Sequence, residues 1–159
     1  MTIADFAGGA GAALLALASV APTAALADTN CQSQQSQAKL HLIVQGVRNA
    51  KGVMTATLYG DDPHRFLKGA GELKVWREPA VAPVTEMCLW LPGAGTYAVA
   101  VYHDAKRAMR FTQGAFGRPT QAYGFSRNPH IFLLPPSLAA VKFPAAVGET
   151  TIVVKLKSP

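Results

Sequence analysis

The chain has 159 residues, and its 15 Lys and Arg residues outnumber its 9 Asp and Glu residues, which gives a net charge of +6. Half of the residues are hydrophobic and only 15% are charged, a composition that excludes disorder as the main state. The length suits one domain that folds without metal ions or dense disulfides. It is too short for a large two-domain enzyme, and its single long uncharged stretch excludes a polytopic membrane protein.

The uncharged stretch covers residues 6–27 and ends in Ala25-Leu26-Ala27, which has the small-x-small form of a signal-peptidase site. We therefore expect a signal peptide over residues 1–27, a polar segment over 28–37 and one domain over 38–157, located in the periplasm or outside the cell. The first five residues contain Asp5 and no Lys or Arg, which a start codon assigned too far downstream would explain. An uncleaved membrane anchor is the alternative, but no span is expected in the mature chain.

The two cysteines, Cys31 and Cys88, both follow the expected cleavage site. An exported protein with two cysteines favours one disulfide, and a Cys31–Cys88 bridge would contribute about 4 kcal/mol by constraining the unfolded chain. The alternative is that Cys88 packs as a small hydrophobic side chain. No Cys-x-x-Cys pair is present to indicate a redox or zinc site.

Short alternating segments follow one another along the rest of the chain. Residues 40–45 and 53–59 alternate on either side of a turn that contains Asn49 and Gly52, and we expect these two strands to form a hairpin. Further strands are predicted at 72–77, 84–90, 97–103, 141–143 and 151–156. Convincing helical periodicity is absent after residue 28. The pattern predicts an all-β immunoglobulin-like or transthyretin-like antiparallel sandwich of about seven strands with one long loop; a small barrel is the alternative.

Three patches of sequence resemble a known family. They are V-Q-G-V-R-N-A-K-G at residues 44–52, L-P-G followed by Y-A-V-A-V-Y-H-D at 91–104, and G-R-P followed by Y-G-F-S-R-N at 117–128. Together they are similar to the secreted bacterial family catalogued as domain of unknown function 2141. The resemblance covers residues 38–157 and implies an exported, sandwich-like domain. It implies no reaction, because none is established for the family.

The segment after His103 and Asp104 departs from that resemblance. In similar proteins it has the form D-x-N-x-N-G-x-x-D, which resembles an oxygen-rich calcium loop. Here only Asp104 is retained, because Lys106 and Ala108 stand where Asn is expected and Thr112 where Asp is expected. We therefore expect no calcium site in this chain, and no cofactor.

Two catalytic hypotheses can be formed from the remaining polar residues. His103, Asp104 and His130, with His64 as a further candidate, would make a metal-dependent or hydrolytic periplasmic enzyme, although no close pair such as His-x-x-x-His supports it. The alternative is that His103 bonds to the backbone and Asp104 caps the following turn. A nucleophilic Ser126 is disfavoured, because its surroundings lack the second glycine of a G-x-S-x-G elbow. We expect Tyr123 and Phe125 to pack this loop onto the sandwich instead.

The basic residues are concentrated between positions 104 and 130, where Asp104 is the only acid. This pattern predicts a positive patch able to attract an anionic polysaccharide, a lipid headgroup or an envelope protein. Nucleic acid is excluded because no binding motif is present, and a solvated loop that only aids solubility is the alternative. The sequence thus favours a non-catalytic exported binding module, whose candidate ligand-binding residues are Lys106, Arg107, Arg110, Arg118, Tyr123 and Arg127.

Overall fold

The computed structural model describes residues 36–132 and 134–159. The expected signal peptide, most of the polar segment and Cys31 lie outside the described residues. Within the described part of the chain, no helix is long and apolar enough to cross a membrane. The elements are β1 (Ala38–Gln45), β2 (Val53–Tyr59), β3 (Lys74–Pro79), β4 (Val84–Trp90), β5 (Gly95–Asp104), a 3-10 turn (Ala115–Gly117), β6 (Tyr123–Phe125), α1 (Leu138–Val141), β7 (Phe143–Ala145) and β8 (Gly148–Lys155).

The strands form two sheets, and the predicted all-β sandwich is confirmed. One sheet has the order β4-β1-β8, and the other has the order β3-β2-β5-β6, with β7 also paired to β5. Every pair is antiparallel except β1 with β8, which run parallel. The described residues thus contain eight strands rather than the predicted seven or so, because residues 123–125, which the sequence places in the long loop, form β6.

The main core lies between the two sheets. Along β1 every second side chain is buried, as expected for a strand with one face on the core. The opposite sheet contributes apolar side chains from β2 and β5 to the same cluster. Each fully buried aliphatic side chain of this size contributes about 1.5–3 kcal/mol relative to exposure. The largest fully buried members include Leu40, Leu42, Met54, Leu58, Met87, Leu89, Val99 and Val101.

The predicted hairpin between β1 and β2 is wrong. β1 pairs with β4 and β8, whereas β2 pairs with β3 and β5. Residues 46–52, which we call the crossing turn, therefore lead from one sheet to the other. The two strands therefore belong to different sheets, and packed sheets lie about 10 Å apart. Gly52 has a φ of 72°, and a Cβ there would collide with the backbone at Asp104 and Ala105. The crossing therefore lies directly against the end of β5.

A second apolar cluster covers the outer face of β5. Ala98 belongs to this cluster while Val99 belongs to the main core, since successive strand residues point to opposite faces. Leu138 and Val141 of α1 pack there with Phe66 and Phe125. The segment after β6 thus folds back over β5 and is part of the domain's packed structure.

Candidate functional site

Asp104, the last residue of β5, organises the connection that follows it. Its side chain is fully buried, and Oδ2 accepts a hydrogen bond from the backbone N–H of Met109 at 2.7 Å. Oδ1 accepts one from Nε2 of Gln121 at 3.2 Å. Burial acts to raise the pKa of Asp104, but hydrogen bonds from the backbone of residues 106, 108 and 109 and from Gln121 outweigh it and hold the pKa below its usual value. The predicted capping role is confirmed.

His103 is also buried and is used structurally. Its Nε2 lies 2.7 Å from the carbonyl oxygen of Lys51, so this nitrogen carries the proton and donates it. Its backbone N–H donates to the carbonyl of Ala122 at 2.8 Å. The imidazole therefore holds the crossing turn against the end of β5, as the structural alternative predicted.

The structure does not bring the predicted metal ligands together. His103 lines a cleft at the end of β5, whereas His130 is exposed and lines a different depression beside β6 and β8. His64 is exposed in the turn that follows β2. Among residues 36–132 and 134–159, no group of three or more His, Cys, Asp or Glu side chains is placed to hold a metal ion.

Ser126 ties three elements together inside the fold. Its hydroxyl is buried, accepts a hydrogen bond from the backbone N–H of Val99 at 3.0 Å and donates one to the carbonyl oxygen of Val141 at 2.6 Å. It therefore links the end of β6 to β5 and α1. These contacts give Ser126 a structural role.

The basic residues divide into two places. Lys106, Arg107, Arg110 and Arg118 all lie exposed in the connection between β5 and β6, which we call the basic arm (residues 105–122). Arg127 lies beyond β6, and its guanidinium donates to the carbonyl of Lys142 at 3.3 Å. Within the described ranges, none of these five cations forms a salt bridge; the carboxylate ion pairs there involve His41 and Lys142.

The outer half of the basic arm is a short hairpin. The backbone N–H of Thr120 donates to the carbonyl of Thr112 at 3.0 Å, and that of Gly114 donates to the carbonyl of Arg118 at 2.8 Å. The 3-10 turn over Ala115–Gly117 forms the tip, with Phe116 fully exposed there. The hairpin therefore projects from the sandwich with an aromatic side chain at its end.

The base of the arm is anchored by aromatic packing. The ring of Phe111 lies edge-on between Tyr102 and Tyr123, with centroid distances of 5.5 Å and 6.0 Å, and Tyr123 also contacts the ring of Phe125 at 6.1 Å. Such edge-to-face pairs are each worth about 0.5–1.5 kcal/mol beyond their buried area. Tyr123, a candidate ligand-binding residue, therefore packs the loop onto the sheet, as the structural interpretation expected.

A cleft of about 350 Å³ lies between the arm, the crossing turn and the end of the chain. Its lining includes Arg48, Lys106, Thr112 and Gln121, together with Ser158. Arg48 was not among the residues predicted from the sequence, because it lies in the turn of the predicted hairpin and nothing in that hairpin brings the turn to the arm. The only available signal was that Arg48 lies in one of the three patches shared with the family.

A comparison with models of protein families identifies the family of this chain. The model described as "Uncharacterized protein conserved in bacteria (DUF2141)" matches residues 42–153. The chain belongs to the DUF2141 family. No curated protein and no solved structure matches it. The predicted resemblance is confirmed.

The DUF2141 match begins within β1 and ends within β8, so it contains the whole basic arm and the crossing turn with Arg48. Both walls of the cleft therefore lie in the family domain. The terminal residues Ser158 and Pro159, which also line the cleft, follow the matched range.

Proposed function

We propose that this protein is an exported, non-catalytic binding module that holds an anionic ligand of the cell envelope through the basic arm. One observation carries the proposal. Four cations of the arm are exposed and form no salt bridge with a described residue, while the nearby carboxylate of Asp104 is buried and accepts hydrogen bonds from the arm itself. The positive charge at this end of the sandwich is therefore little offset locally, and it attracts anions.

The cleft at the base of the arm supplies the short-range part of the proposed recognition. Arg48 and Lys106 line it from opposite sides of the gap between the crossing turn and the arm. A guanidinium group binds phosphate or carboxylate oxygens through two parallel hydrogen bonds, and an ammonium group adds a compact charge. The same two side chains suit a phosphate group and a carboxylate, so the cleft supports an anionic ligand without choosing between them.

Export is the second part of the proposal and rests on the sequence of residues 1–27. In an oxidising compartment, Cys31 and Cys88 would form the disulfide that ties the polar segment to β4. Cys88 lies opposite His41 in β1, and the seven residue-to-residue steps from Cys31 to the start of β1 at Ala38 can span roughly 23 Å when extended. The segment is therefore long enough to turn back to Cys88.

The experiment compares binding to two defined anionic probes, polygalacturonate beads and phosphatidylglycerol vesicles. The test variant is Lys106→Glu, Arg107→Glu, Arg110→Glu. Its matched control is Arg65→Glu, Lys68→Glu, Lys74→Glu, which changes the net charge equally in the connection between β2 and β3 and in β3. Binding is measured at about 0.1 M and about 1 M salt, where charges are screened beyond about 10 Å and about 3 Å.

The proposal predicts that the protein binds at least one probe at the lower salt concentration and that the arm variant loses this binding while the control variant keeps most of it. High salt should remove the binding of all three proteins. Absence of binding to both probes, or equal losses in the two variants, would overturn the proposal. Equal losses would show that net charge alone, rather than the arm, attracts the probe.

A further inference from the structure

Phe116 is the most exposed large apolar side chain in the described part of the chain. Its relative exposure is 101%, compared with 81% for Phe132 and 39% for Phe111. It makes no contact that stabilises the sandwich, since the hairpin is held by backbone and threonine hydrogen bonds nearer the base. Exposing a whole phenylalanine ring to water is unfavourable, so the tip is suited to an apolar environment supplied from outside.

The backbone at the tip adopts a strained conformation at Phe116. Phe116 has a φ of 58° and a ψ of 27°, in the left-handed region that bulky residues rarely adopt. The next residue, Gly117, has a φ of 69° and adopts this region without a steric penalty. Strain of this kind persists where the surrounding structure imposes it and is concentrated at functional sites. The hairpin therefore holds a ring at its end despite a local cost.

Cations and further apolar groups lie behind the tip on the same arm. Arg118 follows the tip directly, and Arg110 precedes the hairpin. Met109 is also exposed, at 55%. Gln113, Gly114 and Ala115 lie between Thr112 and Phe116, so the Cα of Phe116 can lie at most roughly 10 Å beyond the hairpin base. This reach is comparable with the depth of about 5–10 Å to which the apolar face of an interfacial amphipathic helix enters the boundary between headgroups and acyl chains.

We infer that the anionic ligand is the headgroup layer of a lipid membrane, which the hairpin enters with Phe116 at its tip. The inference rests on the proposed function and names its ligand class. From the tip towards the sandwich, the arm carries first an aromatic ring and then arginines. A bilayer surface has the matching order, because the anionic headgroups lie outside the acyl chains. A polysaccharide accounts for this arrangement less well, because stacking on a sugar needs polar groups beside the ring. The polar side chains nearest to Phe116 along the chain are those of Gln113 and Arg118, and neither belongs to the turn that carries the ring.

The test measures by sedimentation how strongly the protein partitions into anionic vesicles of phosphatidylglycerol and, separately, into vesicles of phosphatidylcholine. Binding to polygalacturonate is measured in parallel. Phe116→Ser is the test variant, and Phe132→Ser is its matched control, since Phe132 is an exposed phenylalanine in a different loop. We expect Phe116→Ser to lower the partition coefficient about tenfold, because part of the burial free energy of the ring is lost. The arm variant Lys106→Glu, Arg107→Glu, Arg110→Glu should lower it at least about 100-fold, because about 1 kcal/mol is lost for each of the three cations removed near an anionic surface and each new glutamate is repelled by it.

A second readout separates insertion from simple adsorption. Phe116→Trp should shift its fluorescence emission to the blue when the anionic vesicles are added, relative to the wild-type protein with its two native tryptophans. The inference is supported when this shift occurs, Phe116→Ser weakens vesicle binding and Phe132→Ser does not. Vesicle binding that Phe116→Ser leaves unchanged would overturn it, as would a larger loss in Phe132→Ser. Binding to polygalacturonate alone would overturn the lipid inference and leave the proposed function standing, whereas binding to neither probe would overturn both.

Discussion

The carboxylate of Asp104 and the backbone N–H of Met109 are joined by a hydrogen bond of 2.7 Å across the first turn of the basic arm. Because Asp104 ends β5 and is fully buried, the bond fixes the start of the arm to the most central strand of the larger sheet. Gln121, near the end of the arm, donates to the same carboxylate. One acidic side chain thus clamps both ends of a segment that is otherwise basic and exposed.

Replacing Asp104 with alanine should destabilise the arm. The substitution leaves the N–H of Met109 and the amide of Gln121 without their acceptor, so we expect the free energy of unfolding to fall by about 2 kcal/mol. The measurement is urea denaturation followed by circular dichroism. Asp62→Ala is the control, because that exposed carboxylate accepts a hydrogen bond from the backbone of His64 alone. Equal losses in the two variants would contradict the clamping role.

The same carboxylate should make stability depend on pH. The pKa of Asp104 is lower in the folded protein than its ordinary value, so the folded state binds this proton less readily than the unfolded state does. Its contribution is fully present above the unfolded pKa of about 3.9 and is lost as the pH falls through the folded pKa. The stability difference between the wild type and Asp104→Asn should therefore shrink on acidification below about pH 4. A stability difference between the two proteins that grows on acidification would contradict a lowered pKa of Asp104 in the folded state.

Ser126 should matter for folding rather than for a reaction. Ser126→Ala removes the acceptor of the Val99 N–H and the donor to Val141, both inside the protein, and should cost about 1–3 kcal/mol of unfolding free energy. Ser137→Ala is the matched control, since Ser137 precedes α1 without a side-chain capping bond. It should change stability by less than about 0.5 kcal/mol. Chemical denaturation of the two variants measures the contrast, and equal stabilities would contradict the assigned role.

Gly124 should tolerate no side chain, because β6 passes close to β8. A Cβ at Gly124 would lie 2.7 Å from Cγ1 of Val154 and 2.8 Å from the carbonyl oxygen of Lys155. Gly124→Ala should therefore lower the free energy of unfolding by about 1–3 kcal/mol through overpacking. Gly69→Ala, where a Cβ would meet no atom within 4 Å, is the control and should be near neutral. The measurement is thermal unfolding of both variants. Equal melting temperatures would contradict the close approach of β8 to Gly124.

The proposed disulfide predicts that the exported protein contains no reactive thiol before reduction. Alkylation under denaturing conditions, read by intact mass, should add no label to the unreduced protein and two labels after reduction. Cys88→Ser should then destabilise the domain by at most about 4 kcal/mol, and Cys31→Ser should have the same effect. Two labels on the unreduced exported protein would contradict the bridge.

Strand positions could be predicted from the sequence, but strand partners could not. The strands Val53–Tyr59 and Val84–Trp90 coincide with the predicted ranges, because alternating apolar residues between glycine and proline turns determine where a strand begins and ends. The same alternation shows which side chains face the core, and it does not show which strand lies alongside. For that reason β1 and β2 were assigned to a hairpin although they lie in different sheets.

The candidate site could be predicted only in part, because the sequence does not show which strands and connections lie side by side. The cluster of cations in the arm was visible in the sequence, since it depends on composition over one segment. Arg48 was not identified, because its place in the cleft depends on the crossing between sheets. Gly124 shows a similar limit, because the sequence indicates only that Tyr123 and Phe125 on either side of it lie in a long loop. The residue instead lies within β6, where the close approach of β8 leaves no space for a side chain.

The central claim is that the basic arm, and not the overall charge of the protein, attracts an anionic ligand. The most direct measurement is the ratio of dissociation constants for the arm variant Lys106→Glu, Arg107→Glu, Arg110→Glu and the control variant Arg65→Glu, Lys68→Glu, Lys74→Glu on the same anionic probe. At about 0.1 M salt, where charges interact over about 10 Å, the account predicts that the arm variant binds on the order of 100-fold more weakly. A ratio near one would contradict it.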